Sequence, residues 1–259
     1  VLIRRFRDRH TNALVAVGAS IALALVAASL AATPAGATGS SPASTARGGA
    51  AILPERMKST LSALQLVVVT GADLGSRSGT VRLFDRSSGH WVQRFQAPAR
   101  FGRAGLTDGL TRHEGNGTTP TGIWRMSQFA FGRHTAAPKG CTLAWRRIEP
   151  TSWWSSEHNE TYNTWVETTH KIDGEHLIAV GAPYEYALHT GYNALPNERV
   201  MGRGSAIFIH VIHTGFSSGC VMLARTDMVS LLRLLRAGRR LTCAIGTTRA
   251  GTATSITAY

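Results

Sequence analysis

The chain has 259 residues, 43% of them hydrophobic, and its 28 Lys and Arg against 15 Asp and Glu give a formal net charge of +13. A balance this basic calls for an anionic neighbour: nucleic acid, a membrane surface or the anionic polymers of a bacterial wall. No internal repeat and no second linker interrupts the sequence beyond residue 51, which excludes a solenoid or a string of domains and leaves one domain with a substantial core.

The chain starts with a positive cluster, Arg4, Arg5, Arg7 and Arg9. Ala13 to Ala32 is an apolar or small run whose only hydroxyls are Ser20 and Ser29, and Ala35-Gly36-Ala37 supplies small residues for cleavage. Residues 1–37 therefore read as a secretory signal peptide. The run is also about long enough to span a bilayer. Its Ala-rich composition and the break at Pro34 and Gly36 favour cleavage over anchoring, so a membrane is met only if this segment stays uncleaved. Residues 38–51, mostly Gly, Ser, Ala, Thr and Pro, read as a flexible linker, and residues 52–259 as the folded domain. The first 37 residues carry four Arg and one Asp, a charge of +3, so +13 less +3 leaves +10 on the remainder. Secretion makes wall polymers, and not nucleic acid, the expected anionic neighbour, and the expected location is secreted or cell-wall, outside the cytoplasm.

Within the domain, Leu64–Thr70, Thr80–Asp85 and His90–Phe95 are β-rich runs, the last two joined by a turn at Arg86-Ser87-Ser88-Gly89. Further β-rich runs fall at Thr121–Met126, Leu177–Val180, Tyr186–Tyr192, Ile207–Ile212 and Leu241–Ile245. One helix is well signalled: Thr226 or Asp227 as cap, Met228, Leu231, Leu232 and Leu235 on one face, and Gly238 as stop. A weaker helical candidate spans Glu55–Leu64. Phe129–Asn163 reads as a long irregular stretch whose Trp145, Trp153, Trp154 and Tyr162 either line a groove or extend the core. The fold class is mainly β, mixed α+β, with one helix after the segment that carries the chemistry.

That segment is Ser205–Leu223. A β-rich run ends in His210, a polar bend holds His213 and Gly215, and Ser217-Ser218-Gly219 delivers Cys220 into a second apolar run. A free thiol titrates near pKa 8.5 and is a weak nucleophile until a neighbouring imidazole takes its proton. Gly219 permits unusual backbone angles just before the thiol, where amides can face a developing oxyanion. His213, in the bend, is the rival base. His189 is placed facing solvent or a groove rim and carries no assigned chemistry. His210-x-x-His213 is the one close histidine pair, and with no CxxC or HExxH motif beside it no metal is expected. Gly115 and Gly117 lack the Lys-Ser/Thr of a phosphate loop, and no cofactor is expected. Of the three cysteines, Cys220 must stay free to act; an oxidising compartment then leaves Cys141 to pair with Cys243, with three separate thiols as the alternative.

Three segments carry a family resemblance. His210 with Ser217-Ser218-Gly219-Cys220-Val221, the stretch Arg112 to Trp124 containing Glu114-Gly115-Asn116 and Thr119-Pro120-Thr121-Gly122, and Trp153-Trp154 with Tyr162-Asn163-Thr164-Trp165-Val166 and Tyr192-Asn193 together resemble the L,D-transpeptidase catalytic domain (YkuD-like) family. The third set is similar to a secreted actinobacterial branch. Here Ser218 stands where many members have His, Met222 stands where they have Arg or Asn, and the loop from His to Cys is shorter. The resemblance implies an L,D-transpeptidase-like β-sandwich acting on peptidoglycan stem peptides. It implies a catalytic Cys220 forming a thioester, His210 as general base, Gly219 at the oxyanion, and Ser217, Ser218 and His213 at the substrate. An amine acceptor then gives a 3→3 cross-link. Water as acceptor gives an L,D-carboxypeptidase, and a relic cysteine on a basic wall-binding module is the non-enzymatic alternative.

Overall fold

The computed structural model describes residues 53–259; the signal and linker readings lie outside the described residues. Fourteen strands run β1 Gln65–Gly71, β2 Ser78–Ser87, β3 His90–Arg100, β4 Leu106–Asp108, β5 Thr119–Arg125, β6 Phe129–Gly132, β7 Ala144–Arg147, β8 Ser152–Ser155, β9 Trp165–Glu167, β10 Gly174–His176, β11 Tyr186–His189, β12 Phe208–Val211, β13 Val221–Leu223 and β14 Leu241–Thr247. Two helices, α1 Leu177–Val180 and α2 Arg225–Leu234, and three short 3-10 turns complete the described residues. The fold is mainly β, with few helices. Among the described residues no helix is long and apolar enough to cross a membrane.

Eleven strands form one continuous ladder in the order β4-β5-β14-β1-β2-β3-β13-β12-β11-β6-β7, and β10-β8-β9 form a separate sheet. Strand alternation decides what each face meets. In β1, Val67 and Val69 enter a central cluster while Leu66 and Val68 enter a second one beneath Met57, Trp91 and Ile256. In β12 and β13, Ile209, Val211, Val221 and Leu223 enter the same central cluster. One cluster thus holds side chains from both halves of the ladder, so the ladder folds over on itself into a sandwich. Met228, Leu231, Leu232 and Leu235 of the α2 segment join that cluster, close behind the β13 segment. The opposite faces of β11 and β12 present Ala187 and Phe208 to a third cluster, capped by Trp154 and Leu177 of the small sheet region.

The β2–β3 hairpin turns at Ser88 (φ 50°) and Gly89 (φ 83°), two left-handed residues in succession. That is the turn whose twist matches a hairpin, and it follows from the Ser-Gly pair.

Several expectations give way. Leu177–Val180 is one turn of helix, not a strand: it buries only Leu177 fully and is closed by Gly181 at φ 79°. Helix α2 starts from Ala224, whose carbonyl accepts the Met228 N–H, with Thr226 and Asp227 already inside the first turn. It ends at Leu234, well before Gly238. Glu55–Leu64 yields only the 3-10 turn Leu53–Arg56, because Leu61 and Ser62 adopt left-handed angles that stop a helix. Strand β11 stops at His189. Phe129–Asn163 contains β6, β7 and β8, and Trp154 and Tyr162 are core residues. All three cysteines are free thiols, with Cys243 buried inside the central cluster and Cys141 packed at its edge.

Candidate active site

Register brings the thiol and imidazole together. Parallel β12 and β13 pair Ile209 with Val221 and His210 with Met222, so Phe208, His210, Cys220 and Met222 share the face opposite the central core. Cys220 and His210 are diagonal neighbours on that face and line one cleft of about 540 Å³. Cys220 is 8% exposed and His210 6%. His210 Nδ1 lies 2.9 Å from the Val211 carbonyl, so the proton sits on Nδ1 and Nε2 is left as acceptor. The thiol donates to the Ala206 carbonyl (3.2 Å) and accepts from the Phe208 N–H (3.3 Å).

Burial sets the resting charge state. It pushes the Cys220 pKa up to about 12, with Glu175 adding to the rise and the Phe208 N–H and Arg112 opposing it. It pulls His210 down to about 4 against the pull of the Val211 carbonyl. The resting pair is a neutral thiol beside a neutral imidazole.

The turn before the thiol is tied by one hydroxyl. Ser217 Oγ donates to the Cys220 carbonyl (2.6 Å) and accepts the Gly219 N–H (3.1 Å), so the Ser217 hydroxyl and the Gly219 amide are both engaged in the turn. Gly219 has φ 146°, and a Cβ there would lie 2.7 Å from the Thr118 carbonyl and 3.0 Å from Arg112 Nη2. Both the angle and the space require glycine. Ser218 is exposed and accepts from Arg103 Nη1 (2.8 Å). His213 is exposed at the cleft mouth and is not on the strand face shared by His210 and Cys220.

Other residues of the cleft carry no role in the sequence reading. Arg112 is 6% exposed, with Nε donating to the Thr118 carbonyl (2.9 Å) and Nη1 to the Arg203 carbonyl (3.0 Å). Tyr184 sets its ring 5.4 Å from that of His210, edge to face, and donates its hydroxyl to Glu175. Burial raises the Glu175 pKa against that hydrogen bond, and raises Tyr184 well above its ordinary value. Glu114 and Asp173 add two more carboxylates to the cleft wall. The signal for Arg112 and Glu114 was present, since both stand in the stretch that carries the family resemblance; Glu175 and Tyr184 have no local signal.

His189 faces inward. It is 1% exposed, its ring is 4.8 Å from Trp154 and 5.6 Å from Phe208, and burial drives its pKa down to about 3. It shares a face with Ala187, which the third cluster buries. Among the described residues no group of three or more His, Cys, Asp or Glu comes together as a metal site.

The family model described as the L,D-transpeptidase catalytic domain, YkuD, matches residues 76–248. The chain belongs to the YkuD family. The match spans the β2 to β14 region and includes both His210 and Cys220. No curated protein matches the chain. Among solved structures, Bd1075 of Bdellovibrio bacteriovorus is similar at 15% identity and a TM-score of 0.38, over 73% of this chain and 50% of that one. The chain thus spans half the length of that protein. The family that this domain belongs to is described as the L,D-transpeptidase catalytic domain.

Proposed function

We propose that this YkuD domain is a cysteine-dependent L,D-transpeptidase that forms 3→3 cross-links in peptidoglycan outside the cytoplasm. The observation that carries the reading is the pairing of a buried thiol with an imidazole whose Nδ1 is fixed on the Val211 carbonyl and whose Nε2 is free, in one cleft. In the first step the Cys220 Sγ attacks the carbonyl of the third stem residue, and the thiol proton passes to His210 Nε2. The C–N bond to the terminal D-alanine breaks, and the same proton leaves on its amine. The product is a thioester. A side-chain amine of a second stem then attacks it, the C–S bond breaks, and a proton returns to the sulfur through His210. Backbone amides at Cys220 and Ser218 are the proposed oxyanion donors, each worth about 2.7–4 kcal/mol where present. The Gly219 amide is held by Ser217 and serves the turn.

Three carboxylates, Glu114, Asp173 and Glu175, line the cleft beside the cations of Arg103 and Arg112, and the carboxylates would draw a stem ammonium toward the thioester, which supports an amine as acceptor. His213 and Ser218 at the mouth would touch the stem, while Ser217 ties the turn before the nucleophile. The net charge of +10 after residue 37 suits retention among anionic wall polymers.

Intact-mass spectrometry after exposure to a carbapenem tests the thioester chemistry. A one-to-one adduct, absent in Cys220→Ser, is expected. No adduct on a folded protein with Cys220 free would refute the enzyme and leave a wall-binding module. Incubation with tetrapeptide stems then separates cross-linked product from hydrolysed tripeptide, the latter identifying an L,D-carboxypeptidase.

A further inference from the structure

Arg112 presents a buried cation that the fold itself leaves unbalanced. Two of its nitrogens are consumed by the Thr118 and Arg203 carbonyls, which fix the guanidinium plane. Its Cζ also lies 5.7 Å from the Tyr192 ring centroid. Among the described residues it joins no ion pair. Its remaining nitrogen, Nη2, faces the cleft wall at Gly219, where an added Cβ would come within 3.0 Å of it, one residue from the nucleophile. Its charge is felt at the Cys220 thiol.

A guanidinium removed from water without a counter-charge is costly, and a fold retains one where an anion arrives from outside. The fork geometry selects a planar oxyanion such as a carboxylate. In the reaction proposed above, the leaving residue carries its own α-carboxylate, one residue beyond the bond that Cys220 attacks, and consecutive Cα atoms lie about 3.8 Å apart. Nη2, which neither the Thr118 nor the Arg203 carbonyl engages, faces Gly219, the residue that precedes the nucleophile. We propose that Arg112 binds the terminal α-carboxylate of the donor stem and so restricts attack to the last peptide bond of the chain. A stem extended by one residue offers an amide in place of that carboxylate, leaves the guanidinium unpaired, and is rejected.

This inference rests on the stem-peptide reading, and the test separates the two. Binding is measured by calorimetry on Cys220→Ala, which cannot react, with a tripeptidyl-D-alanine stem as free acid and as C-terminal amide. Turnover of the same pair is measured on the native thiol. The acid is expected to bind about 10–100-fold more tightly than the amide. Arg112→Gln in the Cys220→Ala background should bring that ratio close to one, and Arg112→Lys should retain part of it. Equal binding of acid and amide by Cys220→Ala overturns the proposal and requires no Arg112 variant to fold. A ratio unchanged by Arg112→Gln, or a loss for acid and amide alike, also overturns it, the latter assigning Arg112 to the oxyanion or the loop. A binding preference without turnover on the native thiol would sink the transpeptidase reading and leave the carboxylate site standing.

Discussion

The most exposed consequence of the site geometry is that Cys220 rests as a thiol and not as half of an ion pair. Its pKa of about 12 and the His210 value of about 4 lie about eight units apart. Moving the proton between them costs roughly 11 kcal/mol before their mutual attraction is counted. Iodoacetamide, which reacts with thiolate, reads this directly. At pH 7.5 a thiol of pKa about 12 is ionised to about 3 parts in 10⁵, against roughly a tenth for a free thiol. The greater basicity of the high-pKa thiolate restores about a factor of 40. Alkylation of Cys220 should therefore be about a hundredfold slower than that of the same thiol in the urea-unfolded chain, with no inflection below pH 9. The half-buried Cys141 is removed as Cys141→Ser, and the site of alkylation is read by peptide mass. His210→Ala should leave the rate within about threefold, because a neutral imidazole lends no charge to the thiolate. An inflection below pH 8 in the native protein, lost in His210→Ala, would refute the neutral pair and make the site a preformed thiolate–imidazolium.

Three further outcomes follow from the same packing. Glu175→Gln removes a charge that raises the Cys220 pKa and should speed alkylation at pH 8.5–9; a slower or unchanged rate contradicts the assignment of Glu175 to the thiol's surroundings. His189 and His210 are neutral when folded with values of about 3 and about 4, below the unfolded 6.5, so the unfolded chain gains protons first as pH falls. Their stability is intact above pH 6.5 and is lost toward those lower values, roughly 2–3 kcal/mol for each at pH 4.5; urea unfolding of His189→Phe should lose less than native between pH 7.5 and 4.5, and parallel losses would contradict burial of an uncharged ring. Asn163→Ala strips hydrogen bonds from the Tyr192 and Asn193 carbonyls, Trp154 Nε1 and the Ala206 N–H. It should cost about 3–5 kcal/mol, or roughly 8–15 °C in thermal unfolding, and a shift under 3 °C would show those groups find other partners.

What the sequence made legible was whatever depends on neighbours along the chain. The β-rich runs Leu64–Thr70 and Ile207–Ile212, the Ser88-Gly89 turn and the leucine face of α2 are local signals, and the structure places each as a strand, a hairpin or a core-facing helix. Cys220 and His210, the proposed nucleophile and base, were singled out for the same reason, since both lie in a single short segment, and the structure sets them on one face of one cleft. The walls of the cleft were not. Arg112, Glu175 and Tyr184 come from three separate stretches brought to the thiol by the ladder order and by the small sheet, and no local pattern encodes that meeting. His189 was misplaced because its facing depends on what covers β11: a strand residue reads as exposed until Trp154 is known to pack against it.

The aromatic stretch illustrates how such long-range placement reaches the chemistry. Trp154 gives its indole N–H to Asn163 Oδ1, and the same oxygen accepts the Ala206 N–H at 2.9 Å. The carbonyl of that Ala206 is where the Cys220 thiol donates. Asn163 can serve both sides because it is 1% exposed with φ 55°, a left-handed angle that Asn tolerates and β-branched residues do not. Tyr162 beside it donates to Glu114 of the cleft (2.5 Å) and accepts from the amides of Gly202 and Gly204. The loop between β8 and β9 therefore acts as a buttress: it fixes the peptide against which the thiol rests, so a change that loosens it shifts the resting position of the Cys220 sulfur.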